Sequence, residues 1–185
     1  MHTTTHLAGE AMRTGSPASR AAHAALFERV VTRVHRYFQR MCRDPHEADE
    51  CLQRTLTLLE ESLTRRAYDP GRSFNTWLWL KARTVHAQWC RERGRRPAPL
   101  PPERAADARD PSAAVDRRLD AAAVLAAVRE RLGEESYEAF VLYYEGGLTQ
   151  AEVGEALGRD RKTVRSRIAE AHALIDRLLG AERAP

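Results

Sequence analysis

Between Arg159 and Arg167 the chain sets five basic residues, Arg159, Arg161, Lys162, Arg165 and Arg167, against a single acid, Asp160. Cationic side chains clustered on one short helix can replace the counterions around phosphates, and Arg, Lys, Ser and Thr can also hydrogen-bond base edges. The chemistry on offer is recognition of DNA without bond-making. Apolar residues Val164, Ile168, Ala171, Ile175 and Leu178 repeat at spacings of four, three, four and three, which marks one buried helix face. At 100° per residue Lys162 and Ser166 lie nearly opposite that face, with Arg165 to one side and Thr163 to the other. Lys162, Thr163, Arg165 and Ser166 are therefore the candidates for reading bases. Arg161 and Arg167 flank the buried stripe and are candidates for gripping phosphate.

An exposed basic helix often does no more than solvate a surface, so the residues ahead of it matter. Thr149 followed three positions later by Glu152 is a capping box, in which hydroxyl and carboxylate each satisfy a free backbone N–H. The short helix it starts carries Val153, Ala156 and Leu157 on one side and stops at Gly158, where a left-handed backbone is easily adopted. Asp160 can then cap the basic helix. Two helices joined by a turn containing glycine, the second basic in its first half, form a helix-turn-helix whose second helix enters the major groove.

A second concentration of chemistry lies in residues 74–93. Phe74, Leu78, Val85 and Trp89 cluster on one side of a helix and read as core, while Arg83, Ala87 and Arg91 lie away from them. Its end, with Arg91, Arg93, Arg95 and Arg96, could follow a DNA backbone, and aromatic residues among cations suit stacking on unpaired bases. Trp79, off the core face on the wheel, is the stacking candidate; Trp77 and Trp89 read as packing. A third set, Glu47, Asp49, Glu50 and Gln53, occupies a helix whose Leu52, Leu56, Leu59 and Leu63 form an apolar stripe, so the polar residues are left for a partner or for solvent.

These elements fall into two groups. Residues 1–21 are small and polar and read as a disordered tail. Helical patterns over roughly 23–42, 47–66 and 73–93 make a first bundle, and patterns over 117–132, 134–145, 149–157 and 160–179 a second, in which Tyr137, Phe140, Val141 and Tyr144 form a stripe. Between them, 94–116 is rich in proline and arginine without an apolar period and reads as a flexible linker; 181–185 is a short tail. No segment alternates with period two. The fold class is all-α: a first domain over 22–93 and a second over 117–180 containing the helix-turn-helix.

A net charge of +4 suits a polyanionic partner without requiring one. No run reaches the roughly 20 apolar residues of a membrane span and the first residues lack a secretory pattern, so the expected location is the cytoplasm, with no membrane partner. Cys42, Cys51 and Cys90 form no CxxC pair and read as reduced core thiols. His86 and Cys90 could share a helix face, but two ligands make no structural zinc site, so neither metal nor cofactor is expected. With no phosphate loop, no H-E-x-x-H and no nucleophile that sequence can place beside a base, the chain reads as no enzyme and has no small-molecule substrate.

The two groups also resemble one family. EADECLQRTL (47–56) and FNTWLWLKARTVHAQWCRER (74–93) resemble the acidic helix and the following segment in the N-terminal domain of the extracytoplasmic-function sigma factors, a subfamily of the sigma-70 factors of RNA polymerase. Residues 129–179 are similar to their C-terminal domain, including the Thr-Val-x-Ser-Arg run at Thr163, Val164, Ser166 and Arg167. The resemblance implies an initiation factor that binds core RNA polymerase and promoter DNA, with region 2 docking polymerase and opening the −10 element and region 4 binding the −35 element. It implies polymerase docking by Glu47, Asp49, Glu50 and Gln53, −10 contacts by Trp79, Arg83, Thr84, Gln88 and Arg91, and an anti-sigma protein as a further partner. Besides a minor loss of the usual proline in 132–136, four positions depart from the family. Thr84 has one hydroxyl in place of an asparagine amide and Gln88 replaces an aspartate, so −10 recognition is expected to differ; Lys81 and Arg159 replace apolar residues. Two other readings of the residues stand beside this one: a two-domain helix-turn-helix regulator that is not an initiation factor, and a polymerase-binding protein that does not read DNA.

Overall fold

A computed structural model describes residues 3–13, 16–94 and 117–181. Among the described residues there are eight α-helices and no strand, in keeping with the all-α expectation. They are α1 (Thr4–Ala11), α2 (Pro17–Met41), α3 (Pro45–Thr64), α4 (Phe74–Gly94), α5 (Arg117–Leu132), α6 (Glu134–Tyr144), α7 (Gln150–Leu157) and α8 (Arg161–Ala181).

In the first bundle α2, α3 and α4 pack around Leu26, Val30, Val34, Phe38, Cys51, Leu59, Leu63, Phe74 and Leu78. Asp44 starts α3 by accepting from the His46 N–H at 2.8 Å, with Pro45 at the first helical position, where its missing N–H costs nothing. One polar group lies inside α3: the Thr55 hydroxyl, which donates to the Cys51 carbonyl at 2.8 Å. The turn ahead of α4 is held by Tyr68, whose hydroxyl donates to the Arg72 carbonyl at 2.6 Å, and by Asp69, which accepts from the Gly71 N–H at 2.9 Å. Ser73 then accepts from the Thr76 N–H, as expected of a cap.

Residues 1–21, expected to be disordered, instead contain α1 and the first turn of α2. Thr3 caps α1 by accepting from the His6 N–H, and Ser16 caps α2 by accepting from the Ser19 N–H. Leu7, Ala8 and Met12 are buried against the first bundle, and the Thr5 hydroxyl accepts from the Phe74 N–H at 3.1 Å, satisfying a donor at the start of α4. These few apolar residues, spaced among small ones, give too weak a period to be read without their partners.

The second bundle closes on Val128, Tyr137, Val141, Leu142, Val153, Val164, Ile168 and Leu174. The expected stripe on α6 overshoots: Tyr137 and Val141 are buried, but Phe140 is half-buried and Tyr144 is 49 % exposed. Tyr144 lies at the helix end, where its hydroxyl meets His172 of α8 at the surface.

The bundles pack on each other through α4 against α7 and α2 against α6. Several polar contacts cross the seam. Tyr37 donates to Glu138 at 2.7 Å, Ser73 to Glu152 at 3.0 Å, and Arg129 to the carbonyls of Arg40 and Met41 at 3.3 and 3.1 Å. The expected linker lies outside the described residues except for Gly94, the last residue of α4, and 182–185 lie outside them too. No helix among the described residues is long and apolar enough to cross a membrane. The three cysteines are free thiols; Cys51 is buried and Cys42 half-buried, but Cys90, expected in the core, is exposed near the end of α4.

Candidate nucleic-acid interface

The helix-turn-helix is built as its residues dictate. Thr149 accepts from the Glu152 N–H at 3.3 Å while Glu152 accepts from the Thr149 N–H at 2.9 Å, completing the capping box. Helix α7 ends on Gly158 in the left-handed conformation, φ 65°, and the chain then folds back so closely that a Cβ on Gly154 would sit 2.6 Å from the Arg159 carbonyl oxygen. Gly154 thus sets the tight approach of α7 to the turn, a role the sequence reading did not assign. Asp160 caps α8, accepting from the Thr163 N–H at 2.9 Å and the Thr163 hydroxyl at 2.7 Å.

Helix α8 buries Val164, Ile168, Ala171 and Leu174 and turns its opposite side to solvent. Arg161, Lys162, Arg165 and Ser166 are all exposed there, and the Ser166 hydroxyl donates to Glu170 at 3.1 Å. Two members of the expected set are employed otherwise. Thr163 is half-buried with its hydroxyl committed to the Asp160 cap. Arg167, expected on phosphate, is only 19 % exposed and pairs with Glu135 of α6 at 2.8 Å. Arg159 pairs with the same carboxylate at 2.5 Å. Hydrogen bonds from Arg159 and then Arg167 hold the Glu135 carboxyl down at about 2. Two of the five cations therefore brace α8 against α6, and the wheel missed this because it treats a helix without its neighbours. Arg161, Lys162 and Arg165 remain as the outward positive charge.

Helix α4 differs from the sequence expectation. It buries Phe74, Leu78 and Val85 on one side and Thr76, Trp79 and Ala82 on another, because it is packed between the first bundle and the second. Trp79, assigned to base stacking, is fully buried with its ring 5.2 Å from that of Tyr37, whereas Trp77 and Trp89 are half-buried. A wheel with one buried stripe cannot describe a helix with two. Arg83 lies in the seam: Nε and Nη2 donate to the Glu138 carboxylate at 2.8 and 3.2 Å, and Nη1 to the Ala156 carbonyl. Burial alone would lower the Arg83 pKa, yet Glu138 holds it above its ordinary value. Burial, reinforced by the Glu138 charge, pushes the Tyr37 phenol well up, so it serves as the donor. Thr84, Gln88 and Arg91 are exposed, with Thr84 bonded back to the Leu80 carbonyl at 2.8 Å and Gln88 to Glu92 at 3.1 Å.

On α3 the acidic set is split. Asp49, Glu50 and Gln53 are exposed, Asp49 beside His35 at 3.0 Å and Glu50 beside Arg54 at 2.8 Å. Glu47 instead faces inward, paired with Arg93 and 14 % exposed. It lines an open cleft of about 1000 Å³ with Cys42, His86, Cys90, Arg129 and Glu138. His86 Nε2 and Cys90 Sγ are 3.7 Å apart, and no group of three or more potential metal ligands occurs among the described residues.

Two family models match the chain in order. Sigma-70 region 2 covers residues 26–96 and Sigma-70, region 4 covers 125–174. No curated protein sequence matches. Among solved structures, the fold is similar to that of CnrH in complex with the cytosolic domain of CnrY, with TM-score 0.67 and 24% identity over 96% of this chain and 97% of that one. It is also similar to the sigma factor RpoE in complex with the anti-sigma factor NepR from Bartonella quintana, with TM-score 0.63 and 16% identity over 87% of this chain and 98% of that one. Both regions, in this order, around a helix-turn-helix place the chain in the sigma-70 family, as an extracytoplasmic-function member: a sigma factor, which binds core RNA polymerase and promoter DNA to direct where transcription starts.

Proposed function

We propose how this sigma factor divides its work among its residues. Residues 22–93 form the region 2 domain, 117–180 the region 4 domain and 94–116 the tether between them. Helix α8 lies in the major groove of the −35 element, with Lys162, Arg165 and Ser166 at base edges and Arg161 on phosphate. The observation that carries this reading is the exposed face of α8, where Lys162, Arg165 and Ser166 stand away from a continuous buried stripe and Arg161 flanks it. Asp49, Glu50 and Gln53, exposed on one side of α3, dock on polymerase. Thr84, Gln88 and Arg91 meet the −10 element, joined by Arg83 once the seam with the second bundle parts. Trp79 is left out of this set: it is fully buried with its ring packed on Tyr37 of α2, a contact inside the first bundle that does not depend on the seam.

The protein acts by binding, in the cytoplasm: it recruits polymerase, recognises both promoter elements and assists in opening the strands, while bond-making belongs to the polymerase. An anti-sigma protein is a fitting regulator. The solved relatives are complexes with a cytosolic domain and with an anti-sigma factor, and a partner that favoured the closed arrangement would keep Arg83 covered.

The test is reconstitution with core polymerase and transcription from a promoter library randomised over both elements. Run-off products should share two separated elements. Products that ignore the upstream element would overturn the α8 assignment, and a chain that binds duplex alone but never joins polymerase would overturn the docking assignment.

A further inference from the structure

The outward face of α8 carries one residue that does not fit a purely cationic footprint. Glu170 is exposed on the same side as Lys162 and Ser166, following them at i+8 and i+4. The Ser166 hydroxyl donates to its Oε1 at 3.1 Å, which fixes that oxygen and leaves Oε2 directed by the same rotamer. Beside this row lie Ala169 and Ala173, both exposed and both small enough to let the helix backbone come close to a groove wall. From Lys162 to Glu170 the helix advances about 12 Å at 1.5 Å per residue, comparable to the width of the major groove.

A carboxylate in a groove lined by phosphates is repelled unless it meets a hydrogen-bond donor. Among base edges in the major groove, donors are the exocyclic amines of cytosine and adenine, and a carboxylate pairs with cytosine N4 while leaving adenine N7, an acceptor, unmatched. We propose that Glu170 is a specificity-determining residue of this sigma factor, reading a cytosine in the upstream promoter element, with Ser166 as the residue that orients it. The proposal rests on the assignment of α8 to that element. It divides the face into two parts: Lys162, Arg161 and Arg165 attract DNA, and Glu170 rejects the wrong sequence at one position, since any base without an amine there leaves a desolvated carboxylate unpaired.

The rival reading is a solvated charge bonded to its neighbour one turn back, with no part in recognition. The experiment separates the two. Holoenzyme reconstituted with the wild-type chain, with Glu170→Gln or with Glu170→Ala is used to select transcribed promoters from a library randomised over the upstream element. Glu170 is exposed, so both variants should keep the helical circular dichroism and polymerase affinity of the parent. Wild type should enrich cytosine at one column. Glu170→Ala should lose about tenfold of that preference with the other columns unchanged, as expected for one good base contact. Glu170→Gln should move the same column toward adenine, whose N6 and N7 match an amide. Variant profiles that superimpose on the wild-type profile, or change evenly over all columns, overturn the proposal while leaving the α8 assignment standing. A wild-type profile with no upstream preference overturns both.

Discussion

Helices α4 and α8 are each 21 residues long and both carry exposed cations, yet they stand in opposite situations. Helix α8 buries one stripe and offers everything opposite it to solvent, so its recognition face is ready before any partner arrives. Helix α4 is enclosed on two sides, and the side chain best suited to meet DNA backbone, Arg83, is clasped by Glu138 and by the Ala156 carbonyl of the helix-turn-helix domain. On the assignment proposed above, α8 can meet its element as the chain stands, whereas Arg83 becomes available to the other only when the bundles separate. The seam suits that separation. Several hydrogen bonds and ion pairs cross it, whose groups water can take over when the bundles part.

The sharpest way to break this contrast is to strip α8. Replacing Lys162, Arg165 and Ser166 with alanine should cut transcription from a promoter dependent on its upstream element by at least about 100-fold, since each base contact is worth about 1–3 kcal/mol. Helical content should not change. An undiminished rate in run-off assays would move recognition elsewhere on the molecule.

The contrast sharpens if α4 can be freed. Glu138→Ala removes the acceptor shared by Arg83 and Tyr37 and leaves both half of a broken network in the seam. The closed arrangement should lose about 2 kcal/mol, the cost of hydrogen bonds to a charged group. Small-angle scattering should then report a larger radius of gyration. A curve identical to that of the parent would mean that other contacts hold the bundles together.

Smaller effects probe the scaffold of α8. Thr149→Ala deletes half of the capping box and should cost about 1 kcal/mol in chemical denaturation of the intact chain. Glu135 gives a pH signature. Its folded pKa of about 2 lies below the ordinary value of 4.5, so its pairing with Arg159 and Arg167 stabilises fully above pH 4.5 and fades as pH falls from there toward 2. Because its side chain is 41 % exposed, solvent screening keeps the effect to at most about 1 kcal/mol. Glu135→Gln should flatten that part of the stability profile; a profile with the same slope would show the two arginines acting independently of this carboxylate.

Local grammar explains what was legible in the chain. Caps such as Thr149 and Asp160, the glycine at 158 and the leucines of α3 act within one or two turns, so the helix-turn-helix could be read from neighbours in sequence. Contacts across the fold could not. Trp79 looked free on a wheel because its neighbour Tyr37 and the second bundle lie far away in sequence, and Arg167 looked like a phosphate ligand because Glu135 is 32 residues upstream. Helix α1 escaped for the same reason: its buried Leu7, Ala8 and Met12 acquire meaning only against the first bundle and the start of α4. Asp49, Glu50 and Gln53 face outward as a helix with a leucine stripe requires, while Glu47 is drawn inward by an arginine on α4.

Crosslinking within a reconstituted initiation complex tests the central claim most directly. A photoreactive side chain is placed at position 165 on α8 or at position 88 on α4, and the attached promoter bases are mapped. Attachment of α8 to the upstream element and of α4 to the downstream element, on the same DNA, is the predicted result. Attachment of both to a single site, or of neither while the complex still transcribes, would contradict it.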